Sequence, residues 1–330
     1  MTWVRTFRFY LILALVGVWA FPVTLAQVNS LNITSNPPEK LLSARTVALY
    51  NYRLTNDELK EFQRGFQRIG IDAVAYFPED VVYAGKDAAL AYAAYFTERN
   101  ISYVLFLDKG VSGYQFTVTA FNQKPTLVDG TTPAWRVNNQ KINELLGEVL
   151  RVSWQSQKKA NYLVNDFPET DIKVEAIRGR RQEFYAIDLK VDNLAVPKFG
   201  DEAMDKALEE FFVANYPLRY KVVEAGADEK DLRSKGFLYV LAYVHTRGEA
   251  AKQVLDYDLS KGEKNYASIT YPDGQLQLKI LPKDEVIYKF YFRHIDNGNV
   301  FLGTKWDADT NWLDALRNHV LGFKQEAKIN

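Results

Sequence analysis

Two residue spacings alternate along this chain. Runs such as "ARTVALYN" (44–51), "IDAVAYF" (71–77) and "ISYVLFL" (101–107) are short and almost continuously apolar, the pattern of buried strands. Between the first two, "TNDELKEFQRGFQRIG" (55–70) sets Leu59, Phe62, Phe66 and Ile69 on one helical face. Thr55 and Glu58 are spaced for a capping box, and Gly70 can close the far end. "KDAALAYAAYFTERN" (86–100) predicts a second helix and "GYQFTVTAF" (113–121) a further strand. A long helix is expected from about Asn139 to Lys158.

The pattern then restarts after a polar stretch at 159–171. "EFYAIDLKV" and "LAVPKF" read as strands leading into the helix "DEAMDKALEEFFVAN" (201–215). The strand "RYKVVEA" (219–225), a shorter helix near 227–235 and the strand "FLYVLAYVH" (237–245) follow. A β-rich region fills 251–304 and a last helix 311–325. Val47-Ala48-Leu49 matches Leu194-Ala195-Val196 147 positions later, and Tyr103-Val104-Leu105 matches Tyr239-Val240-Leu241 136 positions later. Trp135, Ile142, Leu145, Val149 and Leu150 match Trp306, Leu313, Leu316, Val320 and Leu321 at a constant 171. Three matched segments in one order predict an internal duplication. The two tryptophans are expected in equivalent places, as staples at the starts of their helices. The growth from 136 to 171 leaves 35 additional residues in the second half, and 252–281 is the natural place for them. Within that segment Asp273-Gly274 predicts a two-residue hairpin turn. Leu276, Leu278 and Ile280 fall on one face of the ribbon and Gln275, Gln277 and Lys279 on the other. An isolated ribbon is marginal in water, so the apolar face must rest on this chain's second half or on another chain.

The ends and the composition add location and exclude several chemistries. Arg5 and Arg8, the apolar run "FYLILALVGVWAF" (9–21), Pro22 and the small residues of "TLA" (24–26) follow the secretory pattern, with cleavage expected before Gln27. The alternative is an uncleaved anchor, for which the run is short. Residues 27–42, with "NPPEK", read as a polar leader without regular structure. The mature chain carries 39 basic against 41 acidic side chains, which gives no attraction to nucleic acid or anionic membranes. With no cysteine there are no disulfides, zinc–thiolate sites or thiol catalysis. Hydrophobic residues at 47% supply enough core to hold an exported protein together without them.

The motifs point to no named chemistry. In "WDADTNWLDALRNHVL" (306–321), Asp307, Asp309 and Asn311 fit the first ligand positions of an EF-hand loop. Trp312 then stands where glycine is needed and Asn318 where a bidentate Glu is needed, so the acids read as helix caps and dipole partners. His245, His294 and Asp296 could meet within one sheet as a metal site, although satisfied strand histidines are the commoner outcome. "GVSG" (110–113) lacks the ending of a phosphate loop. "RGRR" (178–181) reads as a solvated hairpin tip, with anion binding as the alternative. Ligands of open α/β sheets gather beyond the carboxyl ends of parallel strands. Those ends carry Asn51, Glu79, Asp80 and Asp108 in the first half, and Lys198, Glu224, His245 and Arg247 in the second.

The expected fold is therefore an α/β sandwich of mixed sheets. Two tandem, internally duplicated domains (43–160 and 161–330) each pack helices on a mixed sheet, and the second adds a β-hairpin. This element order is similar to that of small α/β domains of Gram-negative envelope proteins, such as the amino-terminal domain of TolB. The expected function is an exported, non-enzymatic protein, periplasmic or secreted, that binds a protein partner or ligand in the cell envelope. The alternative is a carboxylate-dependent hydrolase working at the strand ends. Neither cofactor nor metal is expected, and the oligomeric state is open.

Overall fold

Alternation of strand and helix builds one sheet in each half of the chain. The computed structural model describes residues 31–156, 164–165, 167–170 and 172–329. The first half runs β1 (Asn32–Thr34), β2 (Arg45–Tyr50), α1 (Asn56–Ile69), β3 (Asp72–Pro78), α2 (Glu79–Val82), α3 (Lys86–Glu98), β4 (Tyr103–Gly110), β5 (Gly113–Ala120), β6 (Pro133–Asn139) and α4 (Ile142–Ser156). The second runs β7 (Arg181–Gln182), β8 (Asn193–Pro197), α5 (Glu202–Asn215), β9 (Tyr220–Val223), α6 (Glu229–Ser234), β10 (Phe237–Arg247), α7 (Gly248–Val254), β11 (Asn265–Thr270), β12 (Gln277–Pro282), β13 (Val286–His294), β14 (Val300–Phe301) and α8 (Trp312–Glu326). The expected signal peptide lies outside the described residues.

The two sheets share one topology. Their strand orders are β1-β6-β5-β4-β2-β3 and β7-β14-β13-β10-β8-β9. In each, three parallel strands are followed by two antiparallel ones, and the outermost strand runs parallel to its neighbour. Helices cover the first sheet on both faces. Phe62, Phe66, Leu145 and Val149 from α1 and α4 pack on Ala48, Leu105 and Phe116. Tyr92 and Phe96 from α3 pack on Val47, Leu49 and Phe106. In the second sheet Phe211, Phe212, Leu316 and Phe323 from α5 and α8 pack on Leu194, Phe290 and Phe292. Each such side chain contributes about 1.5–3 kcal/mol by burial. The expected capping box is formed: Thr55 Oγ1 accepts from Glu58 N, Glu58 Oε2 accepts from Thr55 N, and Gly70 closes α1 with φ 91°. Lys109 Nζ also reaches Glu58 Oε1, at 2.7 Å. Burial would raise the Glu58 carboxyl, but the bonds from Lys109, Thr55 and Tyr114 outweigh it and hold it down at about 2.

Pairing partners correct the residue equivalences. Leu105 faces Val118, which faces Trp135, while Leu241 faces Phe292, which faces Phe301. Trp135 therefore corresponds to Phe301 and not to Trp306. Trp135 is a strand residue packed on Phe116, with ring centroids 5.8 Å apart. Trp306 belongs to the linker 302–311 and packs on Tyr257 at 5.1 Å, in a different cluster, so neither acts as the expected staple. That linker holds ten residues where β6 and α4 are joined by two, so the helix offset of 171 does not extend back into the strand. Val104 pairs with Val47 but Val240 pairs with Ala195, so the first-strand match is also one residue out. Such a slip exchanges the two faces of a strand. The duplication rests on topology and on helix positions such as Leu145 and Leu316, both fully buried.

Other elements differ from expectation as well. Residues 32–34 of the expected leader form β1, paired with β6, and Leu31, Leu41 and Leu42 are buried. The long helix starts at Ile142, because 133–139 are taken by β6. Within "EFYAIDLKV", residues 187–190 form a 3-10 turn rather than a strand. Arg181 of "RGRR" is no solvated tip: it lies in β7, donates to Leu255 O at 2.9 Å and covers the Tyr257 ring at 4.2 Å. The additional segment of the second half occupies 248–285, between β10 and β13, and opens with α7.

Candidate functional site

The strand ends of the first sheet meet the second half at a charged junction. Sheet order β4-β2-β3 sets Asp108, Asn51 and Glu79 along one crest. Glu79 is buried, which pushes its carboxyl up to about 8, with the charges of Asp108 and Asp80 adding to the shift. Burial also raises the Asp108 carboxyl, against the pull of Arg136. Asn51 instead holds the turn after β2, its Oδ1 accepting from Arg53 N at 2.9 Å. Asp80 faces the second half, where Arg247 Nε and Nη2 both approach its Oδ2 at 2.6 Å. The same guanidinium donates to Asp284 at 2.8 Å and lies 4.0 Å from the Tyr52 ring centroid. His245 N donates to Ala84 O at 2.7 Å, and its ring stacks on Tyr288 at 3.8 Å. Lys198 pairs with Glu224 at 3.0 Å, and more loosely with Glu209 of α5 at 3.9 Å, on the crest of their own sheet.

Of the eight strand-end residues, Asp108, Glu79, Asp80 and Arg247 thus form one run of titratable groups, His245 sits beside them, and Lys198 with Glu224 lies apart. A second junction cluster was not expected: Arg293 of β13 pairs with Glu229, and with Asp87 of α3 at 3.1 Å, while Tyr291 Oη donates to Asp87 at 2.8 Å. These residues are scattered in sequence, and no spacing connects them. Gly85 permits the approach, because a Cβ there would press into the Tyr243 carbonyl.

The acids of the rejected calcium loop have separate roles. Only Asn311 caps α8, accepting from Leu313 N and Asp314 N. Asp309 pairs with Lys279 of β12 at 2.8 Å. Asp307, expected as a cap or dipole partner, is a buried counter-ion: Lys289 Nζ lies 2.6 Å from its Oδ1, and His319 Nδ1–H donates to its Oδ2 at 3.0 Å. Burial would raise the Asp307 carboxyl, but Lys289 and His319 hold it below its ordinary value. Burial, helped by Lys289 and opposed by Asp307, pushes the His319 imidazole down to about 4, so it is neutral near pH 7. The Lys289 ammonium also donates to Phe290 O and Leu302 O, at 2.9 and 2.7 Å. Tyr185 slots between Gly303 and Gly322 to reach Asp307. Outside it lies a cleft of about 320 Å³ lined by Tyr185, Ile269, Tyr271, Asp307 and Asn318 among others. His294 Nδ1 accepts from Asp296 N, and Asp296 pairs with Arg233, so the histidine–carboxylate meeting with His245, the less expected alternative, does not form. No cluster among the described residues could hold a metal ion.

The ribbon β11–β12 departs most from expectation. Its loop spans six residues, 271–276, although Asp273 and Gly274 do take the positive φ values, 51° and 77°, that such a turn favours. The face that rests on the second half is the one bearing Tyr266, Ser268, Lys279 and Leu281. Ser268 Oγ donates to Ala308 O at 2.6 Å, and Tyr266 and Leu281 are buried. Leu276, Leu278 and Ile280 point away and are 48%, 66% and 63% exposed. Opposite Leu278 and Ile280 in register stand Ile269 and Ala267, so the outer face is apolar and runs on through Ile269 to the cleft. No helix among the described residues is long and apolar enough to cross a membrane. No family model matches the chain, and no curated protein or solved structure matches it either.

Proposed function

We propose that this protein is a non-enzymatic binding protein of the cell envelope that engages a protein partner through the outer face of its β11–β12 ribbon. The observation that carries the reading is the exposure of Leu276, Leu278 and Ile280 on an insertion that the first half replaces with a two-residue turn. Contiguous apolar surface is costly to leave in water and marks contact sites. The export part of the proposal rests on the secretory pattern of residues 1–26. The test compares affinity-tagged wild type with a Leu278→Lys/Ile280→Lys variant in capture from envelope extract. A protein held by the wild type and lost by the variant, at unchanged melting temperature, is the expected result. Equal capture by both overturns the proposal.

A second reading, the carboxylate-dependent hydrolase, has one observation in its favour. Glu79, raised to about 8 beside Asp108, has the protonation state of a general acid near neutral pH. Neither carboxylate lines the cleft beside the ribbon or the groove of about 440 Å³ between α1 and α4. Hydrolysis of an envelope-derived ester or glycoside that disappears in Glu79→Gln is the result that would favour it.

A further inference from the structure

The main chain of β12 narrows what the partner can be. Ile269 N donates to Trp306 O at 2.8 Å, so its N–H points away from β12. Ile269 stands opposite Leu278 in register. In an antiparallel ladder, opposite residues either exchange both hydrogen bonds or exchange none. Ile269 and Leu278 therefore form a non-bonded pair, and the N–H and C=O of Leu278 point to the other side, toward the free edge of β12. The same parity holds two residues on, at Ile280, and again at Pro282, which has no N–H to offer. Lys283 N bonding to Lys264 O at 2.9 Å confirms the alternation one residue beyond the ladder. The sheet holds two strands only, and among the described residues the outward groups of Leu278 and Ile280 have no backbone partner, whereas Pro282 O accepts from Glu285 N at 3.1 Å. Leu278 and Ile280 thus present both exposed apolar side chains and unpaired main-chain groups, which is the arrangement that accepts an added strand.

We infer that β12 binds an extended segment of a partner protein, with apolar side chains at alternate positions, by strand addition at Leu278 and Ile280. The inference rests on the reading of the ribbon as the partner site and specifies how that site is occupied. A second copy of this chain is the poorer occupant. The outer patch comprises five side chains per copy (Ala267, Ile269, Leu276, Leu278 and Ile280), whereas a stable dimer interface engages about 20–30 residues a side. Edge pairing of two ribbons would also leave both apolar faces in water. A short strand draws its affinity from main-chain bonds and needs only a small patch for selectivity.

The probe is a fluorescent eight-residue peptide of alternating valine and threonine, compared with the same peptide N-methylated at every second residue. Fluorescence anisotropy with the full chain should show binding of the first and at least a tenfold loss with the second. Ile280→Pro removes an outward N–H without touching a ribbon hydrogen bond, since edge positions facing solvent tolerate proline. It should weaken binding about tenfold more than Ile280→Ala does, with the circular dichroism of both variants unchanged. No binding of the unmethylated peptide, or equal binding of the methylated one, overturns strand addition. So does a wild-type dimer in sedimentation that Ile280→Pro returns to monomer, because a second copy is then the occupant. If envelope capture is lost in Leu278→Lys/Ile280→Lys but kept in Ile280→Pro, the ribbon still binds a partner and only the strand-addition mode fails.

Discussion

Between β4 and β5 the first half turns back in two residues, Val111 and Ser112; between β10 and β13 the second half takes 38. Sheet order and strand senses are otherwise the same in the two halves. The comparison separates what the fold requires from what has been added to it. A two-residue turn suffices to complete the sheet, so α7 and the ribbon are additions to it, bound to the core through Ala250, Ala251 and Leu281. The second half also carries a buried ion pair in its core. Lys289 of β13 stands where the ladder of the first half has Gln115, and no counterpart of Asp307 follows β6, whose linker to α4 is two residues long. The long β14–α8 linker supplies Asp307 to Lys289, Asp309 to Lys279, and the Trp306 and Ala308 carbonyls to β11. Linker and ribbon are thus one addition, and its inner side is anchored while its outer side is open.

The largest expected effect breaks that anchor. Asp307→Ala leaves the Lys289 ammonium buried without its counter-ion and should cost about 3–5 kcal/mol in urea unfolding. Gln115→Ala at the corresponding place in the first half should cost less than about 1 kcal/mol. Next comes the junction. Arg247→Ala removes the partner of Asp80 and a stack on Tyr52, and a loss of about 2–3 kcal/mol is expected. Protection of amides in α2 and at Ala84 against hydrogen exchange should fall with it.

The halves should also respond oppositely to pH. Glu79 in the first half has a folded value raised to about 8 from an ordinary 4.5, so its contribution is complete below about 4.5 and is lost as pH rises through 8. His319 in the second half is depressed to about 4 from 6.5, so its contribution is complete above 6.5 and is lost as pH falls toward 4. Glu79→Gln should raise the urea midpoint at pH 9 and change it little at pH 5. At about 1.4 kcal/mol per pKa unit the gain is on the order of a few kcal/mol. A first half that weakens on acidification from pH 8 to 5 would contradict the assignment. The smallest stability effect belongs to Leu278→Lys/Ile280→Lys, expected within about 0.5 kcal/mol of wild type because both side chains are solvent-facing. A larger loss in thermal unfolding would mean that the outer face is core.

The helix α1 could be read directly, because Thr55, Glu58 and Gly70 act within one turn of its ends and nothing distant overrides them. Strands β6 and β14 could not. "PAWRVNN" has no clean alternation, and it pairs only because β5 lies beside it in space. The same limit explains Trp135 and Trp306, whose apolar match is real in type but is divided between two clusters by linker length. In the ribbon the alternation of Leu276, Leu278 and Ile280 correctly separated two faces. Which of them turned inward was decided by Ser268, Lys279 and Leu281 finding Ala308, Asp309 and the core, contacts that local pattern does not carry. Among the strand-end residues, position beyond the parallel strands selected Asp80 and Arg247, but their meeting across the junction depends on how the two sheets abut.

The most direct test of the ribbon as the added functional element is hydrogen–deuterium exchange on the complex captured by the wild-type protein. The amides of Leu278 and Ile280 should exchange quickly in the free chain and become protected in the complex, while Val111 and Ser112 at the corresponding turn of the first half stay unchanged. Protection that appears elsewhere, with Leu278 and Ile280 still exchanging as in the free chain, would contradict the account.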